Sequence, residues 1–167
     1  MSERASQINK AQTSEKQTSG DPAQDLVREL RRIFGFGGFR ANQEGIVRAI
    51  LSRRDVLAVM PTGGGKSLCY QLPAHVMEGT CVVVSPLISL MKDQVDAAKA
   101  NGLRAEFLNS SLDGGERSRI GRLLARGELD LLYLAPERLA MDWFLPMLKA
   151  GRCFIDVALC LLPLPTH

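Results

Sequence analysis

Gly63, Gly64, Gly65, Lys66 and Ser67 stand in a row, and residue types in that order can hold phosphate. Glycines leave no Cβ between main chain and ligand, so successive N–H groups can converge on one phosphate at a helix N-terminus. A lysine next in line reaches the β- and γ-phosphates as a point charge. The Ser67 hydroxyl is an oxygen ligand suited to Mg²⁺, a hard cation that keeps waters beside its protein ligands. The strict pattern G-x-x-x-x-G-K-[ST] asks for glycine where this chain has Met60, so the reading rests on Gly65-Lys66-Ser67 and their surroundings. A glycine-rich surface turn with a chance Lys-Ser pair is the competing reading, and it does not account for a strand before the loop and a helix after it.

Further groups could act beside such a loop. The Gln43 amide offers a donor and an acceptor side by side, the complement of the adenine N6 and N7 edge, although a solvent-facing residue at a helix N-terminus explains it equally well. Ser85, Ser89 and Lys92 follow an apolar strand, at the end of a parallel sheet where ligands collect. Hydroxyls, helix amides and a cation there suit phosphate oxygens without reading base sequence; ordinary capping and a solvated helix face use the same residues. Asn109 and Ser110 occupy a similar position after the next strand. His75 has no companion that would make it a ligand or catalyst, and Trp143 reads as core.

The elements that must position these groups alternate. Leu26, Leu30, Ile33 and Phe34 mark a helix capped by Asp21 and stopped by Gly35; Ile46, Val47, Ile50 and Leu51 mark a second. Val56 to Met60 reads as a fully buried strand running into the loop. Then come a helix from Lys66 to about Met77, a strand Cys81 to Ser85, a helix from about Ile88 to Ala100 and a strand Arg104 to Leu108. A helix from about Gly115 to Arg126, a strand Leu129 to Leu134 and a helical stretch near Glu137 to Lys149 follow. Continuous apolar strands alternating with helices predict an α/β fold, a parallel sheet covered by helices on both faces and joined by right-handed crossovers.

Met60 to Ala74 resembles the nucleotide-binding motif of the RecQ family of DNA helicases, in helicase superfamily 2. Phe34-Gly35, Phe39-Arg40 and Gln43 resemble its adenine-reading motif, and Val82 to Gln94 its first DNA-contacting motif. Leu108-Asn109-Ser110 and Leu132 to Leu139 follow in the family's order. The likeness covers roughly residues 24 to 152. It implies a RecA-like domain, ATP and Mg²⁺ as cofactors, and single-stranded or forked DNA as partner. Thr62, Gly63, Gly64, Gly65, Lys66 and Ser67 would hold nucleotide, with Gln43 on adenine, Phe39 as a stacking face and Arg40 as an orienting or phosphate-facing cation. Ser85, Ser89, Lys92, Asn109 and Ser110 would hold DNA.

ATP hydrolysis also needs an Asp that holds Mg²⁺ through water and a carboxylate that activates the attacking water. The family's Asp-Glu-Ala-His box is not found here. Its nearest counterpart, Asp156-Val157-Ala158-Leu159-Cys160, keeps the metal-binding Asp156 and puts Val at the carboxylate. The preferred alternative is one apolar run, Phe154 to Leu162, ending in Leu-Pro-Leu-Pro-Thr-His, as in a frameshifted or truncated sequence. Residues 1 to 20 read as a disordered polar tail, 21 to 152 as a partial motor domain and 153 to 167 as an atypical end. Lacking a second motor domain, the chain is expected not to unwind DNA alone. A catalytically dead ATP- or DNA-binding module and an RNA-acting relative are the competing functions.

Composition agrees without deciding. With 167 residues, 46% hydrophobic and 23% charged, the chain has room for one globular domain. No apolar stretch approaches a membrane span and no secretory leader stands at the start, which predicts a cytoplasmic or nuclear protein. The four cysteines form no C-x-x-C pair, which argues against zinc and for buried small hydrophobes. A net charge of +3 permits a polyanion without requiring one.

Overall fold

A computed structural model describes residues 22–40, 42–61, 63–108, 114–150 and 153–157. The polar tail, the Asp21 cap, Thr62, Asn109, Ser110 and the sequence after 157 lie outside the described residues. The order is α1 (Pro22–Phe34), α2 (Gln43–Leu51), α3 (Lys66–Val76), β1 (Thr80–Val84), α4 (Ile88–Ala100), β2 (Ala105–Leu108), α5 (Gly114–Ala125), β3 (Leu131–Leu134), a 3₁₀ turn (Pro136–Arg138), α6 (Phe144–Ala150) and β4 (Cys153–Val157).

The strands make one four-stranded sheet in the order β2-β3-β1-β4, and every pairing is parallel. Side chains alternate across the pleat, and the core divides accordingly. Cys81, Val83, Ala105, Leu131 and Tyr133 pack with Tyr70 and Ala74 of α3 and Met91, Val95 and Ala98 of α4. Val82, Leu108, Leu132 and Leu134 pack with Ile120 and Leu124 of α5 and Phe144 and Leu148 of α6. Both faces are therefore covered, as the apolar strands require. A third cluster joins Leu26 and Leu30 of α1 to Val47 of α2 and Leu68 and Leu72 of α3. It fixes the two leading helices to the helix that follows the glycines.

An ion pair pins the start of the β2–β3 ladder. Buried Asp130 accepts from the Arg104 backbone N–H at 2.8 Å and from its guanidinium, while the Asp130 N–H donates to the Arg104 carbonyl at 2.8 Å. The carboxylate holds the Arg104 guanidinium above its ordinary pKa by hydrogen bonding.

Val56 to Met60 is a correction. The segment is not a strand and is not buried: Val56, Leu57 and Val59 are 38%, 95% and 75% exposed. A strand exists through a partner that takes its N–H and C=O groups, and β1 already has β3 on one side and β4 on the other. Among the described strands the unpaired sides of the sheet belong to β2 and β4, and this segment pairs with neither, so its apolar character alone does not make it sheet. The stretch near Glu137 to Lys149 also divides into the 3₁₀ turn and α6. Pro146 stands in the first turn of α6, where its missing N–H costs no helical bond.

Candidate nucleotide and nucleic-acid site

The glycine run makes a tight turn directly before α3. The Gly64 N–H donates to the Pro61 carbonyl at 3.0 Å, and a β-carbon on Gly64 would lie 2.9 Å from that oxygen. Gly63 and Gly65 sit at φ of 78° and 77°, the left-handed region that only glycine enters cheaply. Gly65 caps α3, so Lys66, Ser67 and Leu68 supply first-turn amides that have no helical acceptor.

The loop is closed on itself. Lys66 Nζ donates to the carbonyls of Met60 and Pro61, each at 2.9 Å. An ammonium satisfied by two neutral carbonyls is ready to exchange them for charged phosphate oxygens, which make stronger hydrogen bonds. Gln43, only 2% exposed, lies against Gly65. Its Nε2 donates to the Gly65 carbonyl at 3.1 Å, and its Oε1 accepts from the Arg40 N–H at 2.8 Å. Both the donor and the acceptor that residue type offers are in use, the donor on the loop and the acceptor on the Arg40 backbone. Arg40 is exposed and its Nη1 reaches the Gly63 carbonyl at 3.5 Å. Phe39 packs on the cluster between α1, α2 and α3.

Behind the loop lies a polar chain that sequence reasoning did not assign. Ser67 Oγ donates to Gln94 Oε1 on α4 at 2.8 Å, and the Tyr70 hydroxyl reaches the same oxygen at 3.3 Å. The hydroxyls of Tyr70 and Tyr133 are 3.2 Å apart, and Gln71 Nε2 donates to Tyr133 at 3.4 Å. Burial pushes the Tyr70, Tyr133 and Cys69 pKa values up, so all three stay protonated at neutral pH. In sequence, Tyr70 and Gln71 look like ordinary α3 positions; only folding brings β3 and α4 against them.

Of the residues expected to touch DNA, Ser89 and Lys92 are exposed on α4 at the carboxyl end of β1. Ser85 is not with them: it is 3% exposed, and its Oγ accepts from the Leu87 N–H at 3.4 Å. Asp156 belongs to β4, whose backbone pairs beside β1. His75 lies next to Arg32, 2.9 Å between Nε2 and Nη2, and Trp143 is half-buried, edge-on to Phe144. No group of acidic, Cys and His side chains among the described residues could by itself hold a metal ion.

The DEAD/DEAH box helicase family matches residues 40–157, from Arg40 through the glycine loop to the end of β4. The chain belongs to this family. It is 46% identical over 129 residues to an ATP-dependent DNA helicase RecQ of Haemophilus influenzae, covering 77% of this chain and 21% of that protein. A Synechocystis RecQ is 45% identical over 143 residues, 83% of this chain and 30% of the relative. The chain thus spans less than a third of the length of these relatives. Among solved structures, the DUF1998 helicase MrfA bound to DNA superposes with a TM-score of 0.62 at 14% identity, over 75% of this chain and 19% of that one. A hypothetical ATP-dependent RNA helicase from Sulfolobus tokodaii gives 0.56 at 20% identity, over 74% of this chain and 37% of that one. These likenesses establish the fold, a helicase motor domain's parallel sheet with helices on both faces.

Proposed function

We propose that this chain carries the ATP-binding and DNA-contacting part of an ATP-dependent 3′-to-5′ DNA helicase of RecQ type. One observation carries the reading: the Gly63–Ser67 turn, closed by its own Lys66 and with the buried Gln43 amide against it, at the N-terminus of α3. Phosphates of ATP would replace the Met60 and Pro61 carbonyls on Lys66. The Gln43 amide would then exchange its loop carbonyl for the adenine edge, with Arg40 beside it. Mg²⁺ would sit on Ser67, with Asp156 as its second holder through water; a bound Mg²⁺ supplies charge neutralisation on the β- and γ-phosphates.

Exposed Ser89 and Lys92 would grip the backbone of single-stranded or forked DNA, with Asn109 and Ser110 following them and Ser85 shaping the turn. The DNA substrate puts the protein in the cytoplasm, or in a nucleus; no described helix is long and apolar enough to cross a membrane. On the alignment that sets Asp156 against the family's metal-binding Asp, Val157 stands where the water-activating carboxylate is expected; on the preferred alternative, the apolar run Phe154 to Leu162, neither carboxylate is supplied. Hydrolysis by this chain is accordingly expected to be slower by roughly 10²-fold or more, which favours binding without turnover as the second reading.

Competition of ATP and GTP for the full chain, with a labelled single-stranded DNA titrated in parallel, tests the assignment. GTP should compete roughly 10-fold less well than ATP, since a bidentate base contact discriminates by about 1–3 kcal/mol, and Gln43→Ala should narrow that ratio. DNA should bind, with Lys92→Ala lowering affinity alike for every sequence. Equal competition by GTP, or tighter binding of RNA than of DNA of the same sequence, would contradict it.

A further inference from the structure

Each hydroxyl in the chain behind the loop has one proton to give, and the Gln94 carbonyl oxygen can only accept. Gln71 Nε2 can only donate, so Tyr133 accepts there, and the Tyr133 and Tyr70 hydroxyls lie 3.2 Å apart. Tyr70 then donates onward to Gln94 Oε1, which also accepts from Ser67 Oγ at 2.8 Å. Gln94 Oε1 is therefore the common terminus of two donors, held by a network whose other members, Tyr70, Gln71 and Tyr133, are 2%, 5% and 1% exposed. A serine whose proton is committed in one direction presents only lone pairs in the others, and lone pairs are what a cation needs.

We propose that Gln94 is a positioning residue for the metal that accompanies the nucleotide: it takes the Ser67 proton so that the Ser67 oxygen faces Mg²⁺. This rests on the nucleotide reading above. It also gives α4, which carries Ser89 and Lys92 on its surface, a direct hydrogen bond to the phosphate loop. Partners that orient a metal ligand through its second polar atom are typically worth 10–100-fold in metal affinity. A residue that merely packed α4 against α3 would alter ATP binding equally with and without metal.

The test titrates Mg²⁺ into the full chain with a fluorescent ATP analogue, and repeats the analogue titration in EDTA. Gln94→Leu should raise the Mg²⁺ concentration for half-maximal enhancement about 10-fold, while affinity in EDTA stays within about 2-fold. Gln94→Glu, which keeps an acceptor, should hold the midpoint at or below that of the unsubstituted chain. In a Ser67→Ala background, Gln94→Leu should have no further effect, because the two act as one unit. An unchanged midpoint in Gln94→Leu, or an equal shift with and without Ser67, overturns the proposal. Lys66→Ala separates the two levels. Loss of binding in Lys66→Ala with no midpoint shift in Gln94→Leu sinks only the role of Gln94; unaltered binding in Lys66→Ala sinks the nucleotide site and the role of Gln94 with it.

Discussion

Gly65 shows how much one residue carries. Its φ of 77° costs any other residue roughly 1–2 kcal/mol, and a β-carbon there would collide with Gln43 Nε2. Gly65→Ala should therefore destabilise the chain by about 1–2 kcal/mol, read from the urea midpoint, and should weaken ATP binding by displacing the Gln43 amide from the loop. At this scale the sequence was informative wherever chemistry follows from residue type and local spacing. Glycines 63 to 65, Lys66 and Ser67 fall in that class, and they meet at the start of α3 as their order required. Gln43 was legible as an amide but not as a buried one, because the Gly65 carbonyl it donates to lies 22 residues away. Ser85 was legible as a hydroxyl after a strand but not as a buried one: residue type gives no sign of whether it caps the turn beneath or faces solvent.

Among the elements, period and length carried the alternation of helix and strand from α3 to β3, since apolar strands covered by two helical layers have a distinct pattern. The pattern could not say which strands pair. Val56 to Met60 is as apolar as β1, yet it pairs with no described strand and stays largely exposed, although β2 and β4 each keep an unpaired side in the β2-β3-β1-β4 order. Nor could it find the Asp130–Arg104 pair, which joins residues 26 positions apart and fixes where the β2–β3 ladder starts. Asp130→Ala should remove a charged acceptor from both the Arg104 backbone and side chain. With the guanidinium half-exposed and free to return to water, a loss of about 1–3 kcal/mol is expected in chemical denaturation. A change below about 0.5 kcal/mol would mean that the ladder's register is held elsewhere.

The molecule as a whole is a parallel sheet whose carboxyl end gathers α4, the 3₁₀ turn and the exposed apolar side chains Leu87, Ile88, Leu139 and Met141. Its glycine loop is shut by its own lysine and glutamine. The family match over residues 40–157 and the closed loop support the proposal made above: this chain would be a nucleotide-binding unit whose loop is held shut by the groups that would hold ATP. Equilibrium dialysis of the full chain and its Lys66→Ala variant against labelled ATP, with Mg²⁺ present, tests that statement most directly. Removing two charge-assisted hydrogen bonds should weaken binding on the order of 10²-fold, with both proteins showing the same helical content by circular dichroism. Equal retention of ATP by the two would mean that the loop holds no phosphate.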